Sequence, residues 1–453
     1  MLRTAHPWRI RLRALCRVAA IACVASSSPA LGLPSFAQQT GMPCAQCHTV
    51  AFGPALTAYG REFKLNGYVF GDTGSFVPLA LMMQGGYTQT RTDQPDAPAP
   101  HTSTNENLSL DQASLFYAGR ISEHVGAFAQ VTYSGAERST HWDNLDVRYA
   151  RGLVFGETGV VVGISVNNNP TVQDLWNSTP GWGFPYIAPA LGPAPAASPL
   201  ITGLAQSVLG ATAYAMIDQH LYLEAGGYRN VSDRWLGNLG LSADDSAHVS
   251  GIAPYWRAAL QFGGAERQWS VGMFGMRTAV QPDPTAPGKD GYTDIGIDAT
   301  LTMSGAGPHA LAANAALVRE HRSLDASVVA GLSDAPSNQL TAFHADLTYA
   351  LHQTWVGSVA VFDTSGTANT LLYSPAPLSG SGSGSPDSRG YTLQLEWIPF
   401  GKLSSYMRPW VNIRTGLQYI GYTKFNGGTT NYDGFGRAAR DNNTLFAYLW
   451  VIS

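Results

Sequence analysis

The feature that most limits what this 453-residue chain can fold into is a series of sixteen stretches with period-two alternation, running from residue 77 to the last residues. They read as strands over 77–90, 108–118, 124–134, 142–155, 157–167, 206–217, 219–230 and 254–263, then 267–277, 291–303, 308–319, 340–351, 353–363, 391–399, 407–420 and 444–452. Such alternation sends successive side chains to opposite faces of a strand. The connections alternate as well. Short ones, such as Gly156, Asp218 and His352, are interleaved with long ones at 91–107, 135–141, 168–205, 231–253, 278–290, 320–339, 364–390 and 421–443. An even strand count, with short turns on one rim and long loops on the other, is the plan of an antiparallel transmembrane β-barrel of the bacterial outer membrane. On that plan the long loops lie outside the cell, and both chain ends lie on the periplasmic side.

Composition agrees. Charged residues make up 13% of the chain, against roughly 25% in an average soluble domain, too few to coat a water-soluble surface of this size. The 11 Trp, 20 Tyr and 17 Phe oppose disorder. Past residue 30 no apolar run reaches the ~20 residues that a spanning helix needs. Within 124–132, the Val and Ala positions are expected to face lipid, and Gln130 and Thr132 the lumen. Trp269, Trp355, Trp397, Trp410 and Trp450 fall near the short-turn ends of strands, where an aromatic girdle is expected.

Two loops stand out. No charged residue lies between Asp174 and Asp218, and prolines 180, 185, 189, 193, 195 and 199 exclude a helix there. An ordinary apolar external loop is the plainer expectation; a loop folded into the lumen or capping the mouth is the other. Residues 379–385 alternate Ser and Gly, a flexible composition expected of a mobile loop. Asp93, Asp96, Asp244, Asp245, Asp283, Asp290 and Asp433 dot the long loops without metal-site spacing.

Residues 1–32 read as a secretory signal. Five arginines (Arg3, Arg9, Arg11, Arg13, Arg17) precede a short apolar stretch from Ala14 to Ala25, and small residues follow. Cleavage after Gly32 and after Ala37 fit equally well. Removing residues 1–32 leaves 22 basic against 31 acidic side chains, a net of −9. That balance speaks against nucleic acid as a partner and suits small cations better than anions.

Only Cys44 and Cys47 then remain, in Cys44-Ala45-Gln46-Cys47-His48. Cys-x-x-Cys-His is the attachment signature of c-type haem. Two intervening residues let both sulfurs reach the vinyl carbons of one porphyrin, and the following histidine ligates its iron. The competing reading, a disulfide beside an incidental histidine, does not explain the histidine's position. There is no second copy of the motif, so one covalent haem c is expected, with His48 as proximal iron ligand. For the distal position, alternation places Met82 on the lumen side with Gln84 and Thr88, which makes it the best candidate. Met42 sits too close to the attachment site to fold over the other face easily. His124, His220, His309 and His352 fall at short turns and read as surface residues.

The chain is thus expected to comprise a signal peptide (1–32), a mono-haem segment (33–76) and an outer-membrane barrel (77–453). A segment of ~40 residues seldom buries enough surface to fold alone. Its Phe36, Phe52, Leu56, Tyr59, Phe63 and Leu65 need a further wall, so it is expected to plug the lumen from the periplasmic side.

Residues 34–42 (PSFAQQTGM), the Cys-x-x-Cys-His motif and residues 63–68 (FKLNGY) together resemble the mono-haem cytochrome–porin fusions of Fe(II)-oxidising bacteria, as does the ending Asp441-Asn442-Asn443-Thr444-Leu445. The resemblance covers about 35 residues sharply and the barrel only in architecture. It implies an Fe(II):cytochrome oxidoreductase working by outer-sphere electron transfer, from Fe(II) outside the cell through the haem to a periplasmic carrier, with no acid–base catalyst. Carried over, Cys44 and Cys47 hold the haem and His48 is its ligand. Two positions depart from the family: Gln38 stands where Arg is usual, and Ser453 where many barrels end on an aromatic. A solute porin with a structural or sensory haem, or a conduit for another donor, is the alternative function.

Overall fold

A computed structural model of the chain describes residues 33–71, 77–238, 248–283, 287–305, 307–374, 380–402, 404–407 and 410–453. The expected signal peptide, and Asp244 and Asp245, lie outside these. Sixteen strands form: β1 (Leu79–Thr90), β2 (Asn107–Arg120), β3 (Val125–Ser134), β4 (Ser139–Phe155), β5 (Thr158–Asn167), β6 (Val208–Ile217), β7 (Leu221–Asn230) and β8 (Ala253–Gly263) in the first half. The second half holds β9 (Arg267–Val280), β10 (Asp290–Ser304), β11 (His309–Ser323), β12 (Ser337–Leu351), β13 (Trp355–Gly366), β14 (Ser388–Trp397), β15 (Asn412–Lys424) and β16 (Thr444–Ile452). Each pairs antiparallel with its sequence neighbours, and β1 pairs with β16 to close the barrel, with Met82 opposite Ile452 and Gln84 opposite Trp450. Each strand overlaps its expected stretch. The largest displacement is at β15, which starts five residues later than 407 and leaves Trp410 in the preceding connection.

Alternation sorts the two faces. On β1, Leu79, Leu81 and Met83 are exposed outward while Ala80, Met82, Gln84 and Thr88 are buried inward. Val131 of β3 points out, and Gln130 and Thr132 point in. Closure leaves no unpaired edge, and an apolar outer face on a closed barrel is how β structure crosses a bilayer. Trp269, Trp355 and Trp397 lie on that outer face near the short turns. Trp450 does not: its parity on β16 turns it inward, where it is 6% exposed, so it belongs to the interior rather than to the girdle.

The interior is filled from two directions. From the short-turn rim comes the N-terminal segment, with α1 (Pro34–Thr40), a single helical turn α2 (Cys44–Cys47) and α3 (Ala58–Leu65). Pro34 starts α1, and Gly41 ends it in the left-handed region (φ 68°). Thr57 caps α3 by accepting from the Gly60 amide at 3.2 Å. From the other direction comes the long connection between β5 and β6. The expectation of an external loop is overturned, because this connection runs through the lumen. Asp174 pairs with Arg257 of β8 at 3.1 Å, Trp176 Nε1 donates to Gln261 at 2.9 Å, and Ser178 Oγ donates to Asp298 of β10 at 2.6 Å. Further along, the carbonyls of Ile187 and Pro193 accept from Gln418 and Tyr422 of β15, each at 3.0 Å. Its prolines carry no N–H, so an interior path leaves few donors unpaired, and the barrel wall supplies donors for its carbonyls.

The Gly-Ser stretch is also ordered where described. Ser381 is buried, its Oγ donates to the Asn426 carbonyl at 2.8 Å, and the Gly382 amide donates to the Tyr432 carbonyl at 2.6 Å. Two of the aspartates expected in loops hold backbone: Asp290, which opens β10, accepts from the Ala326 and Ser327 amides, and Asp433 from those of Phe435 and Arg437.

Candidate functional site

Cys44, Cys47 and His48 sit on and just after α2, inside the short-turn end of the barrel. The His48 amide donates to the Cys44 carbonyl at 2.9 Å, closing the turn, and His48 bridges to Leu56 in a short antiparallel pair. α3 crosses close against this turn. A Cβ on Gly60 would lie 2.2 Å from the Cys47 carbonyl oxygen, so only glycine permits the approach. The two thiols are not bonded to each other.

The segment is tied to the barrel wall at many points. Ala51 N–H donates to Gln353 at 2.7 Å, and Arg414 of β15 donates to the Phe52 carbonyl at 3.1 Å. Tyr214 of β6 donates to the Leu65 carbonyl at 2.7 Å, and Tyr68 donates to Asp146 of β4 at 2.6 Å. Gln39 bridges the segment to β2, donating to the carbonyls of Tyr68 and Phe70 and accepting from the Arg120 amide at 2.8 Å. Burial, with Asp146 alongside, holds the Tyr68 phenol well above its ordinary range. Phe52, Phe63 and Leu65 are buried, as the need for a further wall required. Phe36, Phe63 and Tyr68 pack ring against ring at 4.9–5.8 Å.

Lys64 ties the segment to the inner loop. Its ammonium donates to the carbonyls of Val172 (2.8 Å) and Asp174 (2.6 Å) and to Asn177 Oδ1 (3.0 Å). Burial lowers its pKa to about 7, outweighing the carboxylates of Asp146 and Asp174. Burial also pushes the Asp174 carboxyl up, but Arg257 and Lys64 together outweigh it and hold the group below its ordinary value.

A cavity of about 390 Å³ opens beside the three motif residues. Its walls include Phe36, Leu56, Phe63, Met82, Phe128 and Trp450, and it continues past Gln84, Gln112 and Gln130 to Asp143 and Asn144. Sequence placed Met82 correctly on this side, although Met42 lines the same cavity. Both carry a thioether sulfur that could ligate iron, alongside the nitrogen and oxygen donors Lys64, Tyr68 and Tyr186 on the same walls. His124, His220, His309 and His352 do not line it.

The donor set suits a covalently bound porphyrin. Burial, with Cys44 alongside, pushes the Cys47 thiol up to about 12, so the sulfur is uncharged. Burial lowers His48 to about 4 against the raising effect of the Gly53 and Ala55 backbone, so the imidazole is neutral and able to ligate. Its Nδ1 is buried without a well-formed hydrogen bond. Two features stand outside the plainer sequence reading: the inner loop as a wall, which is the alternative expectation for that stretch, and Trp450 as a lining residue. The parity of Trp450 along β16 was the available signal for the second.

Fold and interior together define a class: a transmembrane sixteen-stranded barrel with its N-terminal segment and one long loop packed inside. No protein-family model and no curated protein matches the chain. Among solved structures it is similar to OmpF of Salmonella typhi in complex with daunomycin (12% identity, 83% of this chain and 97% of that one, TM-score 0.46). It is also similar to the outer membrane channel DcaP of Acinetobacter baumannii (11%, 85% and 99%, 0.46) and to an anion-selective porin from Comamonas acidovorans (12%, 83% and 98%, 0.42). These are likenesses of barrel outline; the strand pairing itself defines the fold.

Proposed function

We propose that this outer-membrane barrel is a redox conduit in which Cys44 and Cys47 hold one haem c inside the lumen, His48 is its proximal ligand and Met82 its distal one. The observation that carries the reading is that the attachment motif and a lumen-facing methionine share one largely apolar cavity. When bound, the haem supplies one-electron chemistry: Fe(II) outside the cell loses an electron to become Fe(III), and a periplasmic one-electron carrier gains it.

The chain's own residues do the rest. The apolar wall around His48 excludes water and keeps the imidazole neutral. Arg414 and Tyr68 fix the segment against the barrel and Lys64 fixes it against the inner loop, which holds the motif within a transmembrane band only ~25 Å tall. The resemblance to mono-haem cytochrome–porin fusions supports Fe(II) as donor.

The uncharged polar wall of Gln84, Gln112, Gln130 and Asn144 favours a second reading, a porin that passes small polar solutes beside a structural or sensory haem. Absorption spectra of the detergent-purified protein, before and after anaerobic Fe(II), test the first. A sharp reduced c-type band on Fe(II) addition is expected. Reduction by dithionite but not by Fe(II) would remove Fe(II) as donor, and absence of any haem would overturn the conduit. Steady ion conductance in planar bilayers would favour the porin.

A further inference from the structure

We propose that Trp450, on the strand that closes the barrel, anchors an acidic edge of the bound cofactor through its indole N–H. This rests on the haem reading above and assigns the partner of the porphyrin's propionate carboxylates. Trp450 stands directly opposite Gln84 in the β1–β16 pairing, and both line the cavity that holds Cys44, Cys47 and His48. The closing seam of the barrel is therefore also a wall of the site.

The indole cannot turn away. Phe52 packs edge-on against it at 5.1 Å, and the Arg414 guanidinium lies 5.5 Å from the ring centre. Yet its N–H is buried with no acceptor. Three other lumen indoles are all satisfied: Trp142 donates to the Gln206 carbonyl (2.6 Å), Trp176 to Gln261 (2.9 Å) and Trp182 to the Val172 carbonyl (2.7 Å). Buried donors in folded proteins are almost always paired, so the exception at Trp450 calls for an acceptor brought by a ligand. Indole nitrogen only donates, which selects an oxygen anion rather than a cation. Across the pair, Gln84 Nε2 meets only the weak acceptor Met82 Sδ, at 3.6 Å, and has a second N–H to give.

The test is resonance Raman spectroscopy and redox titration of the full-length, haem-loaded protein, comparing Trp450→Phe and Trp450→Gln with the unmutated chain. The Phe variant is expected to keep its covalent haem, to shift the propionate bending mode, and to lower the midpoint potential, because an unscreened carboxylate favours ferric iron. The Gln variant, which keeps an N–H, is expected to lie closer to the unmutated protein in both. Should Trp450→Phe fail to assemble, Trp450→Leu, which likewise lacks a donor, is read the same way. A loaded Phe variant with unchanged Raman mode and potential, or equal shifts in both variants, would overturn the anchor alone and leave a packing role or a bound water. An unmutated protein without haem would overturn the parent reading and the anchor with it.

Discussion

Replacing Lys64 by Met would remove a cation of the N-terminal segment that bonds directly to the inner loop while keeping side-chain length. Its ammonium makes three hydrogen bonds, at 2.6–3.0 Å, in a buried position. Charge-assisted bonds contribute roughly 1.5–3 kcal/mol each, and an acceptor left buried and unpaired costs ~1–3 kcal/mol. The Val172 carbonyl keeps Trp182 as a donor, so the Asp174 carbonyl and Asn177 Oδ1 are the two acceptors orphaned. Against this, methionine escapes the several kcal/mol of desolvation that a buried ammonium bears. The balance is a loss of about 3 kcal/mol in docking, or roughly two powers of ten in the opening equilibrium. Hydrogen exchange read by mass spectrometry should show protection falling by about that factor in peptides covering α3 and residues 170–180. Strand peptides should be unaffected, with heat-modifiable gel migration as the control for an intact barrel. Unchanged protection in both peptides would refute the idea that Lys64 joins the two interior elements.

Other outcomes follow from the same contacts. Cys47→Ser should abolish normal covalent haem attachment, read by haem stain after denaturing electrophoresis, while the barrel still inserts. Asp174→Asn removes the charge facing Arg257, which keeps Asp298 at 2.7 Å, so the inner loop should loosen by about 2 kcal/mol, seen as faster exchange at 172–179. Docked Lys64 titrates at about 7 against an ordinary 10.5. The released segment therefore binds more protons between those values, and docking should strengthen as pH rises from 7 to 10.5 and stay flat below; Lys64→Met should lose that slope. Met82→Leu keeps bulk and removes the sulfur, so a low-spin haem spectrum should turn high-spin if Met82 is the distal ligand.

The barrel was legible because its signal is local. Period-two alternation and the short–long rhythm of connections survive in sequence, since every strand must present lipid on one face and lumen on the other. The attachment motif was legible for a similar reason, its spacing being set by the porphyrin and not by the fold. Boundaries were less so: residues 407–411 alternate acceptably, yet Met407, Trp410 and Val411 lie in a connection, because β16 pairs with β15 only from Asn412 onward. Trp450 shows how fine the distinction is, since a shift of one residue moves a side chain from lipid to lumen.

What sequence alone determined, then, was the strands, their rims and a histidine two peptide steps from the nearest attachment-site spacer residue, Gln46. What only tertiary structure decided was the content of the lumen. The inner loop carries no periodic pattern, and its anchors are scattered carbonyls and side chains whose partners lie up to about 230 residues away, as with Ile187 and Gln418. Such pairings are set by closure of the barrel, which brings β1 against β16 and places Met82, Gln84 and Trp450 around one cavity. No local propensity encodes that meeting, because the free energy that selects it appears only once all sixteen strands enclose a space that must be filled.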